Sequence, residues 1–100
     1  MIEYRLAPLA KSDLDEIWSY LERKGGADLA DRVILAFDEK FETLALMPGA
    51  GRARSDMGAN LRSMPVGKYL IYYETPPKGR IVIARVLHGS RDQRSAFELI

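Results

Sequence analysis

The spacing of apolar residues changes once along this chain, and that change limits what it can fold into. From Ala30 through Val33, Ile34, Phe37, Phe41 and Leu44 the interval is three or four, the signature of one helix face, held for about six turns between Ala27 and Met47. Pro48-Gly49 ends that pattern. Beyond it come three short apolar runs, roughly Leu61–Met64, Lys68–Glu74 and Arg80–Leu87, which read as strands. The last two are joined by Thr75-Pro76-Pro77-Lys78-Gly79, where proline, unable to donate to a ladder, is confined to a turn.

The amino-terminal part supplies two further elements. Ile2, Tyr4 and Leu6 alternate with Glu3 and Arg5, a short strand with one wet face, and Pro8 suits the first turn of a helix, where its missing N–H costs nothing. Leu14, Ile17, Trp18 and Leu21 then recur at helical spacing, with Asp13, Asp15, Glu16, Ser19 and Glu22 on the other face, until Gly25-Gly26 stops the helix. So short a link makes the two helices an antiparallel hairpin, and Trp18, Phe37 and Phe41 are expected in the core. The segment from Pro48 to Ala59 reads as a glycine-rich loop, mobile unless a partner fixes it, and Gln93–Ile100 as a short helical turn or a flexible tail. The expected fold is α+β in the order β-α-α-β-β-β, a helix hairpin on a small, mainly antiparallel sheet, with residues 1–100 forming one domain.

Charge is distributed unevenly over these elements. Residues 1–50 carry six Lys and Arg against ten Asp and Glu, whereas residues 51–100 carry nine against four. A formal total of +1 thus conceals an acidic first half and a basic second half, and a basic face suits an anionic partner such as nucleic acid or an acidic protein surface. The other reading is that the halves neutralise each other within one fold. With no cysteine and one histidine, a disulfide frame, a thiolate nucleophile and a protein-only metal site are not expected. There is no membrane-spanning apolar run and no leader pattern, so a soluble, unexported, cytoplasmic protein without membrane contact is expected. Gly49-Ala50-Gly51 lacks the following lysine and the strand-before-helix setting of a nucleotide loop, and no cofactor is expected.

These elements carry a resemblance. The helix Asp13-Leu14-Asp15-Glu16-Ile17-Trp18-Ser19-Tyr20, the break Pro48-Gly49-Ala50-Gly51-Arg52, the strands from Arg62-Ser63 through Pro65-Val66-Gly67 to Tyr69-Leu70-Ile71-Tyr72-Tyr73, and the end Arg85-Val86-Leu87-His88-Gly89-Ser90-Arg91-Asp92 are similar in order and spacing to the ParE branch of the RelE/ParE toxin superfamily. The match runs from about Ile2 to Asp92. It implies the toxin of a type II toxin–antitoxin pair in a bacterial cytoplasm, neutralised within a hetero-oligomer by a small ParD-like antitoxin whose disordered tail folds along the toxin.

Two activities occur in that superfamily. ParE-like members poison DNA gyrase and block replication, and the pattern that contains His88 is typical of that branch. RelE-like members cleave messenger RNA on the ribosome, which requires a base for the 2′-hydroxyl, a cation for the phosphate and an acid for the leaving oxygen. His88, Arg85 and Arg91 are the candidates for that chemistry, although no tyrosine follows His88 to serve as an aromatic acid. Without such catalysis the same region is a target-binding surface, made of Arg52, Arg54, Arg62, Arg85, His88 and Arg91. Each also has a structural reading: Arg85 paired with Asp15 or Glu16, His88 hydrogen-bonded at a strand end, Arg91-Asp92 capping the tail. Arg52 and Arg54, in a glycine-rich loop, have the fewest internal duties to perform. For the antitoxin, Leu21, Leu29, Val33, Ile34, Phe97 and Leu99 are the candidate lining of a groove between hairpin and sheet, each equally readable as core. A third class is an inert binding module that keeps the fold without toxicity.

Overall fold

The computed structural model describes residues 4–90, and the expectations placed on Arg91, Phe97, Leu99 and the rest of the tail lie outside them. The chain runs β1 (Tyr4–Leu6), α1 (Pro8–Gly25), α2 (Ala27–Leu46), a 3-10 turn (Pro48–Ala50), β2 (Arg52–Ala53), β3 (Leu61–Val66), β4 (Tyr69–Glu74) and β5 (Ile81–His88). The five strands form one sheet in the order β1-β5-β4-β3-β2. Only β1 runs parallel to its neighbour, Tyr4 to Leu6 lying against Ile81 to Ile83, and the remaining pairs are antiparallel. This is the expected two-layer α+β arrangement with one strand added.

Pro8 opens α1 at the position where its missing N–H is harmless, and Ala7 ties the helix start to the sheet through its N–H on the Ile83 carbonyl (2.9 Å). One residue joins the two helices. Gly26, at φ +92°, donates to Glu22 O (2.9 Å) to close α1, and its own carbonyl accepts Ala30 N (3.2 Å) to open α2. An L side chain rarely adopts that φ, so the tight hairpin depends on glycine there.

The inner stripes of both helices, Ala10, Leu14 and Ile17 with Phe37, Phe41 and Leu44, bury against Ile71, Tyr73, Ile81, Ile83 and Val86 of the sheet. Tyr4 meets Phe41 edge-on with ring centres 5.3 Å apart, and Phe37 meets Tyr69 likewise at 5.5 Å. On the opposite face of the sheet a smaller cluster gathers Leu61, Tyr72 and Leu87, with Met57 and Leu70 packed on it.

A bulge explains how β5 serves both clusters. Tyr72 pairs with Arg85 but Tyr73 with Ile83, so Ala84 is an extra residue on β5. Strict alternation from Ile81 and Ile83 would turn Leu87 toward the helices and Val86 away from them. The bulge shifts the phase, so that Val86 joins Ile81 and Ile83 in the main core and Leu87 joins the second cluster.

Three expectations need correcting. Trp18 is half-buried rather than core: it sits at the seam of the hairpin, where its indole N–H donates to Asp31 Oδ1 (2.9 Å), because a large ring with a polar edge satisfies both needs at a rim. Asp13, assigned to the wet face, is buried. The segment after Pro48 is not a structureless loop, since Arg52 and Ala53 pair with Ser63 and Arg62 as a fifth strand.

Candidate functional site

The basic candidates among the described residues do not converge on one point. The Arg85 guanidinium lies at the bulge and forms a two-pronged ion pair with Asp13 of α1, Nε to Oδ2 at 2.8 Å and Nη2 to Oδ1 at 2.9 Å, with both side chains 7% exposed. Asp13 Oδ2 also accepts the Val86 N–H (3.0 Å). β1 covers β5 only as far as Ile83, so a helix carboxylate satisfies the strand edge just beyond it. The hydrogen bond from Arg85 to Asp13 holds the arginine more firmly protonated than usual, against the opposing pull of burial. Arg85 does pair with an α1 carboxylate, but with Asp13 rather than the expected Asp15 or Glu16.

His88 ends β5 in solvent. Its Nδ1 lies 2.7 Å from Ser90 Oγ and accepts the Ser90 N–H (3.1 Å), while its ring meets Tyr69 edge-on at 5.4 Å. The other arginines sit at the far corner of the sheet. Arg62 Nη1 donates to the carbonyl of Gly51 (2.7 Å) and, more weakly, to that of Gly49 (3.4 Å), and Arg54 Nε donates to Ser63 Oγ (2.8 Å). Both therefore fasten the segment after α2 to β3. Arg52 is exposed on the edge strand and its side chain makes no hydrogen bond or ion pair among the described residues.

Tyr73 completes that fastening. Its hydroxyl donates to the Pro48 carbonyl (2.7 Å) and accepts the Gly51 N–H (2.8 Å). Burial pushes its phenol pKa up, with the Gly51 hydrogen bond and Arg62 pulling the other way. A Cβ at Gly51 would stand 2.5 Å from the tyrosine oxygen and 2.8 Å from the Ser63 carbonyl, so the close approach needs glycine.

His88 pairs with Tyr69 and Arg62 with Tyr73, at opposite ends of β4. Four residue steps along β4 set the two positions about 13 Å apart along the strand direction. The Arg62 guanidinium is moreover occupied by the Gly51 and Gly49 carbonyls.

Between the hairpin and the β3–β4 turn lies a groove of ≈ 580 Å³ with a largely apolar lining. Leu21, Leu29 and Val33 line it, together with Phe37 and Val66. Ile34 packs against the main core and is not part of the lining. Sequence reasoning missed Tyr20, Arg32, Lys68 and Tyr69 at its rim and end, and placed His88 elsewhere. For Lys68 and Tyr69 the signal in the sequence stops at Gly67-Lys68 as a turn between strands; that this turn faces the hairpin is set by how the two layers pack. Among the described residues no group of His, Asp and Glu is arranged to hold a metal, and no helix is long and apolar enough to cross a membrane.

The protein is thus a two-layer α+β fold with an apolar groove beside its helix hairpin and a separate basic edge. Comparison with known proteins narrows it. Residues 4–93 match the family described as ParE toxin of the type II toxin–antitoxin system, parDE. Toxin ParE1 of Caulobacter vibrioides is 34% identical over 95 residues, which is 95% of this chain and 97% of that protein. Toxin ParE1 of Mycobacterium tuberculosis is 29% identical over 89 residues, covering 89% and 91% respectively. Among solved structures, a chain described as the chromosomal ParDE TA system from P. aeruginosa superposes with a TM-score of 0.72 at 20% identity, over 88% of this chain and 96% of that one, which is a likeness of fold. The chain belongs to the ParE toxin family of type II toxin–antitoxin systems.

Proposed function

We propose that this toxin acts on DNA gyrase in the cytoplasm and blocks replication, and that a ParD-like antitoxin neutralises it by folding a segment into the groove between hairpin and sheet within a toxin–antitoxin hetero-oligomer. The observation that carries the choice of target is the separation described above. RNA cleavage needs acid, base and phosphate clamp around one phosphodiester. Here Arg85 is engaged by Asp13, while His88 stands at the other end of β4 from Arg62 and from Arg52, which pairs with β3 beside it. That arrangement favours surface contact over strand scission. The groove supports the antitoxin reading, because Leu21, Leu29 and Val33 offer an apolar floor and Arg32 and Lys68 a basic rim, the pairing that suits an amphipathic segment ordering on contact.

The test is supercoiling by purified gyrase with the purified protein added, scored both for lost supercoiling and for trapped linear DNA. Inhibition with accumulated breaks is expected. No effect at large excess over the enzyme would transfer the assignment to messenger RNA on ribosomes, with His88 as the first residue to substitute.

A further inference from the structure

The groove does not close at its sheet end. It runs on into a smaller pocket of ≈ 290 Å³ between α1 and the ends of β4 and β5, and the two share Tyr20, Tyr69 and His88. Ile17 and Val86 complete the apolar part of this pocket, and its acidic residues are Asp13 and Glu16. Its charge is opposite to that of the groove rim, where Arg32 and Lys68 stand.

The two carboxylates differ. Both oxygens of Asp13 are taken by Arg85 and the Val86 N–H. Glu16 is exposed and has no hydrogen bond or ion pair among the described residues, although its charge is felt by Arg85. The aromatic walls also suit a cation. Lys24 Nζ already stands 5.8 Å from the centre of the Tyr20 ring. Burial and, after it, the nearby Tyr20 raise the Tyr69 phenol pKa, and both rings present π faces to the pocket. His88 takes the Ser90 N–H on Nδ1, a bond that only an unprotonated nitrogen accepts.

We infer that this pocket takes an arginine side chain of the partner segment that fills the groove, its guanidinium on Glu16 and against Tyr20 and Tyr69, while acidic residues of the same segment face Arg32 and Lys68. Arginine fits better than lysine, because its planar fork meets a carboxylate with two hydrogen bonds and stacks on a ring. A charged group at one end of an apolar groove fixes which way the segment runs, since the reversed direction would set its arginine beside Arg32 and Lys68. This rests on the groove reading above and adds the direction and the anchor.

Two measurements test it. In the first, N-acetyl-arginine amide is titrated into the labelled toxin and the amide signals of Tyr20, Tyr69 and His88 are followed. They are expected to shift, N-acetyl-norleucine amide to leave them in place, and Glu16→Gln to abolish the shift. In the second, calorimetry compares antitoxin binding to the parent, Glu16→Gln and Leu29→Glu, with thermal melts to show that Glu16→Gln folds as the parent does. A loss of about tenfold or more is expected for Glu16→Gln, and a larger loss for Leu29→Glu. Equal affinity of Glu16→Gln and parent, with Leu29→Glu still disabled, overturns the arginine pocket and leaves the groove reading intact. Undiminished binding by Leu29→Glu removes the groove reading and the pocket inference with it.

Discussion

Asp13 is the residue on which the join between the two layers turns. It answers three donors, two from Arg85 and one from the Val86 backbone, in a place where water cannot replace it. Removing one partner of such a pair leaves an uncompensated buried charge, which costs far more than the pair itself contributes. Asp13→Ala is therefore expected to lose about 3–5 kcal/mol in urea denaturation. The double variant Asp13→Leu/Arg85→Met should recover much of that loss, and a double variant as weak as the single one would contradict this account. A smaller debt of the same kind sits at Tyr73, where phenylalanine would strand the Gly51 N–H and the Pro48 carbonyl. Tyr73→Phe is expected to cost about 1–3 kcal/mol in the same measurement. The sequence points Arg85 to a carboxylate of α1 but not to which one, and it does not mark Tyr73 at all. Asp13 lies among Asp15 and Glu16 on what reads as a wet face, and only the three-dimensional crossing of α1 over β5 beyond the end of β1 distinguishes it.

At the scale of elements, α2 carries a built-in electrostatic cost. Burial raises the Asp38 pKa above its ordinary 3.8, and Glu42, one turn on, raises it further. A carboxyl whose folded pKa is raised favours the native state while protonated, below the unfolded value, and that advantage is lost as pH rises through the folded value. Asp38→Asn is thus expected to be more stable than the parent at pH 7 by about 0.2–0.5 kcal/mol, the size of a like-charge pair one turn apart. The gap should close on acidification toward 3.8; a pH-independent gap would point to helix propensity instead. Elements with a long apolar period, α1 and α2, were legible to within a few residues, because burial on one face leaves a repeat in the sequence. β2 was not, since two residues are too few for any period and its register is set by Arg62 and Tyr73, far along the chain. The bulge in β5 escaped for a related reason: one extra residue breaks the alternation without any composition signal. Of the candidate groove residues, Leu21, Leu29 and Val33 were readable from the helix stripe, whereas Tyr20, Arg32 and Lys68 required knowing that a strand turn faces the hairpin.

For the whole molecule, the charge asymmetry of the sequence becomes an asymmetry of layers, because the acidic half supplies both helices and, among the described residues, the basic half supplies four of the five strands. The groove opens between the two, while the β2 corner lies at the other end of β4. A partner seated in the groove and a target touching the β2 edge would therefore meet different surfaces, and single substitutions should separate them. Arg52 is the residue for that experiment. Arg54 and Arg62 fasten the chain after α2, so their loss would confound contact with folding, whereas the Arg52 side chain is exposed and makes no hydrogen bond or ion pair among the described residues. Arg52→Ala is expected to change unfolding free energy by no more than about 0.5 kcal/mol, as for an ordinary surface site, and to leave antitoxin affinity as it was. Growth arrest on expression, and gyrase inhibition in vitro, should both weaken. Charge and fork geometry are then divided by Arg52→Lys, which should restore the long-range attraction but only part of any two-pronged contact. Because attraction between exposed charges is screened at a Debye length of about 8 Å in physiological salt, raising the ionic strength should weaken inhibition by the parent more steeply than by Arg52→Ala. Should Arg52→Ala arrest growth as fully as the parent, with the same salt dependence, the β2 edge is not the contact, and the target must be sought at the His88 end of the sheet.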